Sequence, residues 1–185
     1  KTYLVYKGKI LISNFTLLND IEFNKAVILI VKDNNEGSIG FILNKKSKYF
    51  LSDLNESSKG LEIPVYEGGP VLQDSLHFIH QKSKLFNNSI KISDDLYWGI
   101  NFNKAIELLK EKKIKKNEIK FFIGYSGWGI NQLELEKKEN SWLISSSFDN
   151  NDILSTSNDY WKLKLNEFGE YYKIWSNSPD NPSLN

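Results

Sequence analysis

The sequence AVILIVKDNNEGSIGFILN, residues 26–44, contains two apolar runs separated by a polar segment. AVILIVK (26–32) and SIGFILN (38–44) are rich in the branched residues that favour strands, and DNNEG (33–37) is rich in residues that tolerate turns. The sequence therefore predicts a β-hairpin with a short loop. Because apolar residues follow one another without alternation, both faces of each strand are expected to be buried, which places the hairpin at the centre of the structure.

Shorter strands are predicted on both sides of this hairpin, whereas helices are few. The spacing of apolar residues predicts an amphipathic helix over about 101–113, with Asn103 as its N-cap. Strands in mixed order with few helices indicate an α+β fold. We expect one domain, residues 1–185, in which the polar segment 176–185 is a mobile tail.

The composition excludes several classes of site. All 24 basic residues are Lys, so arginine fingers, bidentate Arg–phosphate contacts and Arg–guanine contacts are excluded. The absence of Cys excludes disulfides, thiolate catalysis and iron–sulfur ligation. A net charge of +1 gives no bias towards polyanions. The longest apolar run, residues 26–31, is too short to span a bilayer, and no signal-peptide pattern is visible, so we expect a cytoplasmic protein without membrane attachment.

The motif GYSGWG, residues 124–129, follows the predicted strand IKFFIGY (119–125) and is expected to be a glycine-rich turn. The motif partly matches the nucleophile elbow G-x-S-x-G, but Trp128 occupies the position where the elbow has Gly. His77 or His80 would reach the serine only through the tertiary fold. The sequence therefore favours a tight turn that lets the backbone approach a neighbour over a serine hydrolase.

Two further patterns favour structural roles. His77 and His80 have metal-ligand spacing only on a helix, and on the strand predicted for LHFIH (76–80) they point to opposite faces. Neither a metal site nor a cofactor is therefore expected. The lysine cluster at 110–116 has no interleaved aromatic residues and is diluted by Glu, so direct binding of nucleic acid is not expected.

The candidate functional surface combines two glycine-rich segments that each follow a predicted strand. We expect them to meet at one end of the sheet, where glycine backbone forms a floor and Tyr125 and Trp128 form walls. Such a surface suits a partner protein's peptide or a small polar ligand better than covalent catalysis. Its residues are Gly68, Gly69, Pro70, Tyr125, Ser126, Gly127, Trp128, Gly129, Gln132, Glu134 and Asn140.

Three segments together resemble the AlgH/YqgE-like family of bacterial proteins. They are KGKILIS with FNKAVILIVKDNNEGSIGFILNK, VYEGGPV with LHFIH, and FFIGYSGWGINQLELEKKENSWLIS. The helix YWKLKLNEFG is similar to the W-x-x-x-L-x-x-x-G segment of that family. The resemblance covers about residues 7–169, which is nearly the whole chain.

This resemblance implies a compact α+β domain of coiled mixed β-sheets with a few peripheral helices. It carries over no catalytic residues and no cofactor, although many members have a transcriptional-regulator label. Because the sequence has no helix-turn-helix and no basic recognition helix, we expect a binding or regulatory module without catalysis. The alternative is a small-molecule-binding protein or a weak enzyme that uses the GYSGWG and EGGP surface.

Overall fold

The computed structural model describes residues 5–177, and ten strands in this range form one mostly antiparallel sheet. The strands are β1 (Ile10–Ser13), β2 (Val27–Asn34), β3 (Gly37–Ile42), β4 (Lys46–Phe50), β5 (Pro64–Glu67), β6 (Val71–His80), β7 (Ile90–Ser93), β8 (Leu96–Gly99), β9 (Ile119–Trp128) and β10 (Trp142–Ser145). The order across the sheet is β10-β1-β2-β3-β9-β6-β8-β7. Strand β5 pairs in parallel with β9, and its other edge pairs in antiparallel orientation with β4.

Six helices pack on this sheet within the described residues, and together with it they confirm the α+β fold. They are α1 (Leu51–Leu54), α2 (Phe102–Lys110), α3 (Gln132–Lys138), α4 (Asn150–Leu154), α5 (Tyr160–Asn166) and α6 (Glu170–Trp175). The best predicted helix is confirmed as α2, but Asn101 caps it by accepting a hydrogen bond of 3.0 Å from the backbone N–H of Lys104. Asn103, the predicted cap, lies inside the helix.

The central hairpin predicted at residues 26–44 is confirmed as β2 and β3, which pair in antiparallel register. Alternate residues of β2 contribute to two different cores. Val27, Leu29 and Val31 belong to one, whereas Ile28 and Ile30 belong to another. Both faces are covered, which explains why the sequence of β2 is continuously apolar.

The sheet curls, so the edge strand β7 approaches the residues before β1. A Cβ atom added at Gly8 would lie 2.9 Å from the carbonyl oxygen of Ile92. The curled sheet encloses an interior core, and α4 and α5 fill one end of it. There the indole N–H of Trp161 donates a hydrogen bond of 2.8 Å to the carbonyl of Ser13. Helices α2 and α3 cover two further cores on the outer face.

The alternation of side chains between the two faces of the sheet reverses along β9 at Gly124, whose φ is +67°. Before this residue, Phe122 points into the interior core; after it, Tyr125 does so and Trp128 points to the outer core under α3. Residues 72–75 of β6 form an irregularity opposite the same point. The change in alternation is what places Tyr125 at the open end of the interior.

The turn predicted at residues 124–129 is wrong, because β9 continues through this segment to Trp128. Ser126 and Gly127 pair with β3, so their backbone groups belong to the sheet. The first residue of the predicted tail, Ser176, ends α6, and its backbone N–H donates a hydrogen bond to the carbonyl of Tyr172. Residues 178–185 of that tail lie outside the described residues.

Candidate functional site

The two glycine-rich segments of the candidate surface meet through their backbones. A Cβ atom at Gly68 would lie 2.4 Å from the carbonyl oxygen of Gly124, and one at Gly69 would lie 2.3 Å from the carbonyl carbon of Tyr125. The hydroxyl of Ser126 donates a hydrogen bond of 3.1 Å to the carbonyl of Gly68. Gly68, Gly69 and Ser126 are all buried, so they join β9 to the β5–β6 connection. Ser126 is therefore a packing residue and not an accessible nucleophile.

A cavity of about 390 Å³ opens beside this junction, between the end of the β2–β3 hairpin and β9. Its floor is Gly127, where an added Cβ atom would lie 3.4 Å from Cε2 of Tyr125 and 3.9 Å from Cγ2 of Val71. Gly127 does not have a positive φ, so its missing side chain provides space rather than a turn. The lining residues are Lys32, Asn34, Glu36, Gly37, Ser38, Ile39, Val71, Tyr125, Gly127 and Trp128.

The polar groups of this cavity come from the hairpin. The ammonium of Lys32 lies 3.8 Å from a carboxylate oxygen of Glu36 in an exposed ion pair. The backbone N–H of Glu36 donates to the side chain of Asn34 at 2.9 Å. Because exposed ion pairs are weak, Lys32 can exchange this contact for one with a bound acceptor group. Ile39, Val71 and Tyr125 supply the apolar part of the lining.

On the outer face of β9, Glu136 holds two tryptophans. Its Oε2 accepts hydrogen bonds from the indole N–H groups of Trp128 at 2.9 Å and Trp142 at 2.8 Å. Gln132 donates to Oε1 of Glu136 at 3.0 Å and accepts from the backbone N–H of Gly129 at 2.9 Å. These contacts fasten α3 to β9 and β10, which gives a physical reason for the Trp, Gln, Glu and Trp spacing in this part of the sequence.

The remaining polar residues of the candidate surface also lie around α3. Glu134 accepts a hydrogen bond from the hydroxyl of the buried Tyr6, and burial followed by this contact raises the pKa of Tyr6. Asn140 follows α3 with a φ of +61°. The structure therefore brings Tyr125 and Gly127 together at the cavity, whereas Gln132, Glu134 and Asn140 do not line it.

His77 and His80 lie on opposite faces of β6, and each pairs with a serine. Nε2 of His77 lies 2.9 Å from the hydroxyl of Ser75, and Nε2 of His80 lies 2.7 Å from that of Ser89. The His80 ring is fully buried, and its Nδ1 accepts a hydrogen bond of 3.1 Å from the backbone N–H of Lys82. His77 is half-buried, and Nδ1 has no hydrogen-bond partner among residues 5–177.

Lys120 is a buried cation that the sequence analysis missed. Its ammonium donates hydrogen bonds to the carbonyls of Leu43 at 2.7 Å and Ile153 at 3.0 Å, and to the hydroxyl of Thr156. It also lies 3.9 Å from the centre of the Tyr66 ring. Burial lowers the pKa of Lys120 well below its ordinary value. Lys120 does not line the cavity above Gly127, and its contacts join α4 to the sheet.

Sequence signals for the missed residues were present but weak. Lys120 lies within the otherwise apolar run IKFFI, where a charged residue requires burial with partners. Ser75 and His77 are two residues apart on a strand, which places them on one face. Lys32 and Ile39 reach the cavity only because β2 and β3 pair next to β9, which no local pattern indicates.

No helix within 5–177 has both the length and the apolar character needed to cross a bilayer. In the same range, no group of three or more His, Asp or Glu side chains has an arrangement that would hold a metal ion.

The curled ten-stranded sheet of residues 5–177 with its six helices defines the class of the protein, which is an α+β fold. The family model described as DUF179, AlgH-like, matches residues 10–173. The chain therefore belongs to the AlgH-like family, which confirms the resemblance seen in the sequence.

Two relatives agree with this assignment. The chain is 37% identical to a UPF0301 protein of Cytophaga hutchinsonii over 98% of this chain and 100% of that protein. It is 36% identical to a UPF0301 protein of Bacteroides thetaiotaomicron, with 97% and 91% covered.

Two solved structures share the fold at low sequence identity. The solution structure of the AlgH protein from Pseudomonas aeruginosa has a TM-score of 0.72 at 19% identity, with 97% of each chain covered. The crystal structure of a Corynebacterium diphtheriae protein has a TM-score of 0.75 at 16% identity, with 96% of this chain and 95% of that chain covered.

Proposed function

We propose that the protein is a binding module that holds a small polar ligand in the cavity above Gly127. The observation that carries this proposal is the missing side chain at the cavity floor. Gly127 has a backbone conformation that any residue can adopt, and an added Cβ atom would make only ordinary contact with the Tyr125 ring, so the absence of a side chain leaves space that a ligand can occupy. A volume of about 390 Å³ is at the lower end of the range found for small-molecule sites.

The lining favours a ligand with a flat apolar part and a hydrogen-bond acceptor. Tyr125, Val71 and Ile39 provide apolar surface on one side. Lys32 and the side chains of the hairpin provide donors on the other, and the exposed Glu36 competes only weakly for Lys32. Apolar surface combined with placed polar groups that orient the ligand is typical of small-molecule sites.

The test is a screen of small aromatic carboxylates by protein-observed NMR. We expect the bound fragments to shift the amide signals of Ile39, Tyr125 and Gly127. Gly127→Leu should fill the floor and abolish these shifts. The matched control is Gly129→Leu, because an added Cβ atom at Gly129 would meet only the Gln132 side chain at 3.8 Å. Fragment shifts elsewhere on the protein, or binding that survives Gly127→Leu, would contradict the proposal.

Direct DNA binding is the competing function, and the charges on α2 and directly after it argue against it. Lys113 pairs with Glu111 at 2.7 Å, and Lys104 pairs with Glu107 at 2.9 Å. Acidic partners beside the lysines weaken the attraction for phosphate. We expect a gel-shift titration at physiological salt to show no sequence-selective complex below micromolar protein, and a nanomolar complex resistant to competitor DNA would favour the regulator function instead.

A further inference from the structure

We infer that Ser75 and His77 form the nucleophile and general base of an acyl-transfer site for small carboxylic esters. The hydroxyl oxygen of Ser75 lies 2.9 Å from Nε2 of His77, which is within reach for direct proton transfer. Neither residue lines the cavity above Gly127, so this inference goes beyond the proposed binding function and stands independently of it.

The hydrogen bonds around His77 leave it free to act as a base. Ser75 donates a hydrogen bond of 2.6 Å to the carbonyl of Leu72, and rotation of the hydroxyl hydrogen turns it towards His77. Nδ1 of His77 has no partner among the described residues, so the tautomer with the proton on Nδ1 is accessible and Nε2 can accept.

Aromatic packing fixes the orientation of His77. The ring centre of His77 lies 5.2 Å from that of Phe41, 6.1 Å from that of Trp98 and 5.9 Å from that of Tyr125. These three rings come from β3, β8 and β9, so they hold the imidazole from three directions. Burial lowers the pKa of His77 below its ordinary value, which keeps the ring unprotonated at neutral pH.

The segment before Ser75 makes the serine accessible. Leu72 has a φ of +44°, a strained conformation for a leucine, and its side chain is 61% exposed. Gln73 and Asp74 are also exposed, and Ser75 is half-buried. An ester carbonyl can therefore approach the hydroxyl from solvent, with its apolar part against Leu72. This arrangement favours esters with short acyl or aryl groups.

The reaction needs only the ester and water. The Ser75 oxygen forms a bond to the ester carbonyl carbon while its proton passes to Nε2 of His77. The bond from that carbon to the alkoxy oxygen breaks, and the leaving alcohol takes the proton from His77. Water then attacks the acyl-serine in the same way, which releases the carboxylic acid and restores Ser75.

The test combines labelling with turnover on the full chain. We expect a fluorophosphonate probe to add once, at Ser75, as read by intact-protein and peptide mass spectrometry, and 4-nitrophenyl butyrate to be hydrolysed. Ser75→Ala should abolish the adduct, and His77→Gln should lower the rates of labelling and hydrolysis about 100-fold. Circular dichroism spectra of both variants establish that they remain folded.

The matched control is Ser89→Ala, which removes the other serine that bonds a histidine and should leave labelling and hydrolysis unchanged. The rate should rise with pH to a plateau with a midpoint below about 6.5, because His77 acts unprotonated. Of the rings that pack on His77, only Tyr125 carries a titratable group. An adduct at another residue, no adduct at all, or hydrolysis retained in Ser75→Ala would overturn the inference.

Discussion

The two Ser–His pairs of β6 use the same groups at similar distances but lie in different surroundings. The pair of His80 and Ser89 is closed: both ring nitrogens of His80 are hydrogen-bonded, and Phe86 lies with its ring centre 4.1 Å away. The pair of Ser75 and His77 is open, because it lies beside an exposed irregularity of the strand.

This difference separates structural from reactive roles. In the closed pair, the backbone N–H of Lys82 donates to Nδ1, so the ring proton of His80 lies on Nε2 and points to Ser89. His80 therefore donates to its serine and cannot deprotonate it. In the open pair, no such constraint on Nδ1 exists among residues 5–177, so His77 can accept. The second nitrogen of each ring, rather than the Ser–His distance, decides the role.

Replacing Lys120 tests whether a polar side chain that is buried with its partners contributes more to the free energy of unfolding than an exposed one. Lys120 is almost completely buried, and its ammonium has three oxygen partners. Lys120→Ala should lower the free energy of unfolding by about 3–5 kcal/mol, because it leaves a cavity and removes the donor to two buried carbonyls. Urea unfolding measures this loss. The control is Lys138→Ala on the exposed side of α3, expected within about 0.5 kcal/mol of the wild type. A Lys120 loss below about 1 kcal/mol would contradict the idea.

Replacing each histidine with alanine compares how much the two pairs contribute to the free energy of unfolding. His80→Ala should cost about 2–4 kcal/mol, because it empties a fully buried site and leaves the N–H of Lys82 without its acceptor. His77→Ala should cost roughly 1–2 kcal/mol, since the ring is only half-buried. Both are measured by urea unfolding at pH 7. Equal losses for the two variants would mean that the pairs do not differ in enclosure.

A fall in pH should lower the stability of the protein mainly through protonation of His80 in the closed pair. Burial lowers the pKa of His80 to about 4, whereas an unfolded histidine has a pKa of about 6.5. The unfolded state therefore binds a proton first, so the stabilisation is fully present above about pH 6.5 and is lost as the pH falls towards about 4. We expect a loss of roughly 1–3 kcal/mol over this interval. His80→Gln should flatten this dependence more than His77→Gln does, and the opposite order would contradict the comparison.

The smallest expected effect concerns the strain beside the open pair. Leu72→Gly should raise the free energy of unfolding by up to about 1 kcal/mol, because glycine adopts a positive φ without steric cost. Little buried area is lost, since the Leu72 side chain is 61% exposed. Gln73→Gly serves as the control and should lower stability by about 0.5–1 kcal/mol. A loss in Leu72→Gly as large as in this control would show that the leucine is not strained.

Dense apolar patterns made the fold predictable. The hairpin at 26–44, the helix α2 and the strands around them follow from runs or spacings that only one type of element satisfies. The turn predicted at 124–129 was wrong because the glycines of a sequence do not show whether they form a turn or a close contact between backbones. Glycine permits turns, but it also permits two backbones to touch, and the contact of Gly68 with Gly124 depends on residues far apart in the chain.

The candidate site was predictable only in part. Tyr125 and Gly127 were included because they lie in a recognisable motif, and they do line the cavity. Lys32 and Val71 come from other strands, so only the sheet order brings them there. The Ser–His pairs could not be ranked from the sequence, since the partner of the second ring nitrogen is a tertiary contact.

Gly124 also limits how the length of β9 can change during evolution. Side chains on the two sides of this residue follow opposite alternations, so Phe122 and Tyr125 share one face although they are three residues apart. Inserting one residue directly after Gly124 would turn Tyr125 outward and Trp128 inward, exchanging the cavity wall with the partner of Glu136. Deleting Gly124 would instead leave Phe122 and Tyr125 two residues apart, which keeps both on one face of a regular strand. Natural variants of this segment should therefore gain residues after Gly124 in pairs, and a library of one-residue and two-residue insertions would reveal that preference as a difference in the number of folded members.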